Sequence, residues 1–255
     1  MDNSQSQMHA EAHSPTNRPD PGDSPWSPLQ NKVFRAILIA TIISNIALWT
    51  QNVASAWLMT TLTPSPLLVA LMQTAASLPI FLVGLIAGAL ADVIDRRKLL
   101  LATMVWTLLV ALALGILTLL GMISAWHLLA FTFLLGLGGA LNTPAWLAVM
   151  TELVEPREVP SAVTLHATGF NLARAVGPVL GGFMVAALGP AAVFLMNAGL
   201  FLYTLIVLFR WQSTRPVSST PSEDMLEAIT AGMRYVRHAP ALQAVLVRSG
   251  IFALG

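Results

Sequence analysis

Residues 88–101, GALADVIDRRKLLL, hold five charges within seven positions: Asp92, Asp95, Arg96, Arg97 and Lys98. On either side charge disappears. No Asp, Glu, Lys or Arg occurs from Ala36 to Ala91, nor from Leu99 to Thr151. A soluble domain is about a quarter charged and about 45–50% apolar. This chain is 10% charged and 56% apolar, with mean hydropathy +0.72. Such a surface belongs in lipid. A membrane helix needs about 20 mostly apolar residues, and each uncharged run is long enough for two or more. The runs are continuous rather than alternating in polarity, which argues against barrel strands.

Six crossings are expected, at about 33–60, 67–91, 99–123, 126–150, 161–188 and 191–209. Pro64, Pro66, Gly121, Ser124, Gly189 and Pro190 punctuate the joins. Lys32, Arg35, Arg96, Arg97, Lys98, Arg157, Arg210, Arg215, Arg234 and Arg237 flank one set of ends, while the joins TLTPSP, GMISAW and LGP contain no base. Basic loops stay in the cytoplasm, so both ends of a 32–210 bundle are expected there.

Residues 1–31 are rich in Pro, Ser, Asp and Asn and read as a disordered cytoplasmic tail; they do not resemble a cleaved signal peptide. Residues 211–240 read as a cytoplasmic loop. It contains an amphipathic surface helix that starts at Thr220 with Pro221 and a capping Glu223 and shows Leu226, Ile229, Met233 and Val236 at helical spacing. Residues 241–255 read as the start of a seventh crossing, cut short at Gly255. Cysteine is absent, which excludes disulfides and thiolate metal sites. The bases are scattered over short loops, so nucleic acid is not an expected partner, and no cofactor or metal is expected.

Helix stability does not explain the order of charges in the knot. Asp92 sits near a helix C-terminus, where a carboxylate is disfavoured. Asp95 suits an N-cap, but Arg96, Arg97 and Lys98 then occupy a first turn that disfavours cations. A lipid-headgroup anchor accounts for the three bases, yet not for Gly88 and Asp92 one turn apart.

GALADVIDRRKL resembles the loop signature of the major facilitator superfamily, G-x-L-a-D-r-x-G-R-[RK]. Gly88, Leu90, Asp92, Arg96 and Arg97 match it, and Asp95 replaces the usual second glycine. From about Phe34 onward the chain is similar to the drug- and siderophore-exporting branch. The resemblance implies the N-terminal half of a major facilitator fold, six helices in a 3+3 inverted repeat. It also implies that Gly88, Asp92, Asp95, Arg96 and Arg97 form a conformational latch against the other half.

A second signal is ARAVGPVLGG, residues 173–182, in which Ala173, Gly177 and Gly181 recur every four residues. Small residues at that spacing let helices approach closely in lipid. Pro178 removes a backbone donor from Arg174's carbonyl. Gly177, Pro178, Gly181 and Gly182 resemble the antiporter motif of exporting members, though Ala173 and Thr164 replace two upstream glycines of its fullest form.

Arg174 falls deep within the fifth crossing, where a cation costs about 2.5–3.5 kcal/mol on insertion scales unless it finds a cavity or a partner. Asn171 shares its face. With Asn45 and Gln51 in the first crossing and Asn142 in the fourth, these are the candidate cavity and substrate residues; Asn52 is a further amide. His127 and His166 read as interfacial. No acid lies deep in any crossing, so proton coupling has no local carrier.

The expected function is therefore ion-coupled export of a small amphipathic molecule by alternating access. The expected partners are substrate, membrane lipid, and a second six-helix half or a second copy of this one. A transport-incompetent half-transporter is the alternative. An intramembrane enzyme lacks paired carboxylates, His clusters or a nucleophile–base spacing.

Overall fold

The computed structural model describes residues 24–93 and 95–211; the side chains of residues 85–93 and of Thr151 lie outside that description. Helices and their connections make up everything described. They are α1 (Lys32–Leu62), α2 (Pro66–Val93), α3 (Arg96–Leu119), α4 (Ala125–Glu152) and α5 (Val159–Arg210), with 3₁₀ turns at Ser27–Gln30 and Pro156–Glu158. All five helices are long and apolar enough to cross a membrane.

Each boundary has a local cause. Asn31 caps α1: its side-chain oxygen accepts from Val33 N at 2.9 Å and Phe34 N at 3.3 Å, while its Nδ2 donates to the Leu153 carbonyl at 2.8 Å. Asp95 caps α3 through the N–H groups of Arg97 and Lys98. α3 ends with Gly121 at φ 68°, its N–H bonded to Thr118 O and that of Met122 to Leu117 O, the paired closure of a left-handed cap. Ser124 then caps α4.

The expected fifth and sixth crossings form one 52-residue element, α5, broken inside only at Gly189 (φ 80°, ψ 164°). This backbone region is essentially reserved for glycine, and the helical trace resumes immediately at Pro190. The two limbs nonetheless run in opposite directions along α1. In residues 159–188, Gly169 lies against Ile42, Gly177 against Trp49 and Gly181 against Thr50 and Val53, so sequence number rises together on both helices. In residues 190–210, Asn197 meets Gln51 and the later Thr204 meets the earlier Ser44 and Ala40, so it falls on one as it rises on the other.

The same registers order the rest. α2 and α4 run in the same direction, with Met72 beside Thr132 and Ala76 beside Gly136. α3 opposes α4, with Thr103 at Asn142 and Trp106 at Leu134, and it opposes the second limb of α5, with Arg97 at Phe209 and the later Gly115 at the earlier Leu195.

Two apolar cores stack along the bundle. Phe34, Ile37, Leu100, Met150 and Leu208 fill the end that carries the basic loops, and Met59, Leu114, Leu128, Val193 and Phe194 fill the other. Lipid is as apolar as these side chains, so helices in a membrane are joined by close packing and polar contacts. Ser44 Oγ donates to Thr204 Oγ1 at 2.8 Å, Asn142 Nδ2 to Thr103 Oγ1 at 2.8 Å, and Trp106 Nε1 to the Leu134 carbonyl at 2.9 Å.

The expected disordered tail ran to residue 31. Its last residues are instead structured: Ser27 and Pro28 are buried and Asn31 begins α1. Tail residues 1–23, the expected surface helix and the expected start of a seventh crossing lie outside the described residues.

Candidate functional site

The exposed surface of the bundle has two characters. On α3 it is apolar: Val105, Trp106, Leu109, Leu112 and Ile116. The second limb of α5 continues it with Met196, Leu202, Ile206 and Phe209. The first limb of α5 also exposes apolar residues, among them Leu172, Val179 and Phe183, but it adds a polar stripe, Thr164, Thr168, Asn171 and Arg174, at helical spacing. On α1 beside it, Asn52 is exposed and Asn45 and Trp49 are half-buried.

Arg174 is the centre of this polar face. Its guanidinium carbon stands 5.8 Å from the centre of the Trp49 ring, a cation–π geometry, and Phe170 meets Trp49 edge-on at 6.3 Å. Trp49 lies near the middle of the 31-residue α1, which puts Arg174 far from either end of the bundle. The nearest acid along its own helix is Glu158, sixteen residues earlier, about 24 Å of helical rise. Among the described residues no carboxylate pairs with Arg174. The Trp49 Nε1–H is enclosed and has no acceptor among them either. Asn171 shares the face but donates its Nδ2 to its own helix, at the Ala167 carbonyl 2.9 Å away.

Two of the other expected cavity amides, Gln51 and Asn142, are turned inside the bundle. Gln51 is 2% exposed and accepts from Asn197 at 3.5 Å; Asn142 is 6% exposed and joins α4 to α3 through Thr103. Both point into helix interfaces, away from the polar face. Two apolar grooves, of about 280 and 390 Å³, lie outside it, along α3 against α4 and against the second limb of α5.

The glycine motif divides in the same way. Gly177 and Gly181 are buried on α1. A Cβ on Gly177 would sit 2.5 Å from Trp49 Cβ, and one on Gly181 would sit 3.0 Å from the Thr50 carbonyl oxygen. Pro178 is half-buried, while Gly182 is exposed with no atom within 4 Å of a built Cβ. The buried stripe is thus used within this bundle, and Gly182 alone of the three glycines turns outward.

At the charged end, Gly88 and Asp92 lie in the last turns of α2, and their surroundings are outside the described residues. Arg96 forms an ion pair with Glu152, the last residue of α4. Arg97 donates through Nη2 to the Phe209 carbonyl at 2.8 Å. Asp95 is the α3 cap. Two adjacent arginines therefore tie the start of α3 to the ends of α4 and α5. His127 bonds Ser124 at the start of α4.

Sequence reasoning missed four of these residues. Glu152 could have been suspected as the first acid after an uncharged run, and Asn197 as a lone amide in an apolar one. Trp49 and Phe170 carried no signal, because an aromatic residue in a membrane helix is commonplace until a cation is found beside it.

Residues 23–255 match the family described as transmembrane secretion effector. The multidrug efflux pump Tap of Mycolicibacterium fortuitum is 28% identical over 228 residues, covering 85% of this chain and 56% of that protein. The enterobactin exporter EntS of Shigella boydii is 28% identical over 230 residues, covering 87% and 53%. The staphyloferrin A transporter of Staphylococcus aureus is 26% identical over 151 residues, covering 59% and 38%. The chain spans about half the length of the first two. These relatives are transporters rather than enzymes, and the motif match, the apolar helices and the family match agree. The chain belongs to the transmembrane secretion effector family of major facilitator transporters.

Proposed function

We propose that this chain is the front half of a secondary active exporter that moves small amphipathic molecules, of drug or siderophore type, out of the cytoplasm by ion-coupled alternating access. The observation that carries the reading is the polar stripe with a mid-depth arginine on the first limb of α5 beside α1, set among apolar side chains, whereas α3 and the second limb expose no charged side chain at that depth. An arginine exposed to acyl chains is costly; one bordering an aqueous path is not. The names of the relatives, an efflux pump and siderophore transporters, support the substrate class.

In this reading the limbs of α5 are separate crossings. The six are related as three plus three by an inverted repeat, with substrate near the midplane. The basic loops hold both ends in the cytoplasm and contact lipid headgroups. A second six-helix half, from the same protein or a second copy, covers the polar face. Gly88, Asp92, Asp95, Arg96 and Arg97 latch the cytoplasmic side closed. Because Arg96 and Arg97 also bind α4 and α5, the latch moves with its half as one body. Gly177, Pro178, Gly181 and Gly182 act as an antiporter-type hinge surface between α5 and its neighbours.

These 255 residues contain no cysteine, so a single cysteine placed here, with any cysteine of the second half replaced, reports access cleanly. Asn171→Cys should react with a membrane-impermeant maleimide at a rate that transported substrate changes, while Leu112→Cys on the apolar face stays unreactive. Equal reactivity at the two positions would sink the reading. Asp92→Asn should abolish transport with membrane insertion intact; undiminished transport would remove the latch.

A further inference from the structure

We infer that the Arg174–Trp49 pair makes this exporter selective for organic anions: amphipathic molecules with a planar ring and a negative group. The inference rests on the export reading above and narrows its substrate class. Arg174 is permanently charged, and no carboxylate among the described residues pairs with it. The acids of the described residues, Asp92, Asp95, Glu152, Glu155 and Glu158, all lie at the end of the bundle that carries the basic loops. The guanidinium carbon lies over the Trp49 ring at 5.8 Å from its centre, and the Arg174 residue is exposed on the polar face.

Thr164, Thr168 and Asn171 spend their donors on carbonyls of their own helix, so the guanidinium is the one charged donor this face presents among the described residues. Trp49 Nε1–H has no acceptor and Arg174 no carboxylate among the described residues. A cation arriving here meets a like charge at close range, which the aqueous path weakens but does not remove. An anion gains a charge-assisted, bidentate hydrogen bond. A planar ring on the same molecule can stack on the guanidinium or against Phe170, whose ring already meets Trp49 edge-on. Arg174 would be the residue that touches substrate, and Trp49 the positioning residue beside it.

Fluorescein and rhodamine 6G share a xanthene ring and carry opposite charge, which makes them a matched pair of probes. The protein, expressed at the length its gene encodes, is placed in phosphatidylcholine nanodiscs for binding and in proteoliposomes for export. The expected result is at least tenfold tighter binding of fluorescein and its preferential export. Arg174→Gln should collapse that preference towards unity, and Arg174→Lys should keep part of it. The thermal midpoint of each variant reports folding, and Arg210→Gln, a charge removed from the apolar side, should leave the preference intact.

A merely structural Arg174 would change both dyes alike and leave their ratio unmoved, which overturns the inference. So does the outcome in which the second half supplies a carboxylate to Arg174, because that too leaves the dyes undiscriminated. Export of rhodamine 6G as good as that of fluorescein overturns anion selectivity and leaves the export reading standing. If neither dye is bound or exported, both fall together.

Discussion

Asn197 donates to Gln51 across the contact between the second limb of α5 and α1, at a long 3.5 Å, with the two residues 1% and 2% exposed. Each amide keeps one unused atom: Asn197 Oδ1 and Gln51 Nε2 have no partner among the described residues. A buried polar group left unpaired costs about 1–3 kcal/mol. Asn197→Leu should therefore destabilise the protein by about 1–3 kcal/mol, because it strands Gln51 completely. Adding Gln51→Met should recover most of the loss, as removal of both partners leaves nothing stranded. Thermal unfolding followed by tryptophan fluorescence measures both. A double variant as unstable as the sum of the singles would mean that the two amides are not a pair.

Gly177 and Gly182 lie five residues apart and should behave oppositely. A methyl group on Gly177 collides with Trp49 Cβ at 2.5 Å, whereas Gly182 has open space. Gly177→Ala should cost about 1–3 kcal/mol through overpacking of α5 on α1. Gly182→Ala should stay within about 0.5 kcal/mol. Comparing the melting temperatures of the two variants checks this, and a tolerant Gly177 would mean that the helices separate easily.

The Arg96–Glu152 pair joins α3 to α4 at the charged end, with side chains 35% and 24% exposed. Solvent screens a pair of that exposure, so Arg96→Gln should cost at most about 1 kcal/mol. The exchange Arg96→Glu with Glu152→Arg should recover part of the stability that either single reversal loses. If the double reversal is no better than the singles, the pair contributes no specific attraction.

Much of this molecule is legible in its amino-acid order alone. The charged knot and its uncharged flanks locate the spans, Asp95 is the cap its position predicts, and Gly121 and Ser124 mark the joins. The depth of Arg174 can be counted from the ends of its apolar run. The connection at Gly189 is harder to read as a join, because one residue in a glycine-only conformation reverses the chain without interrupting the helical trace. The amides are the least legible. Gln51, Asn142 and Asn171 look alike in sequence, yet two point into helix interfaces and one lies on the open face.

The difference follows from where each property originates. Which segments sit in lipid, where they start and which end stays basic depend on local composition and on caps within three or four residues, and the amino-acid sequence determines these directly. Which face of each helix is covered depends on contacts between residues far apart in the chain: Glu152 with Arg96, Asn197 with Gln51, Trp49 with Arg174. Those pairings exist only once α5 has laid both limbs along α1, so tertiary structure decided which polar groups became internal fastenings and which remained on the exposed face.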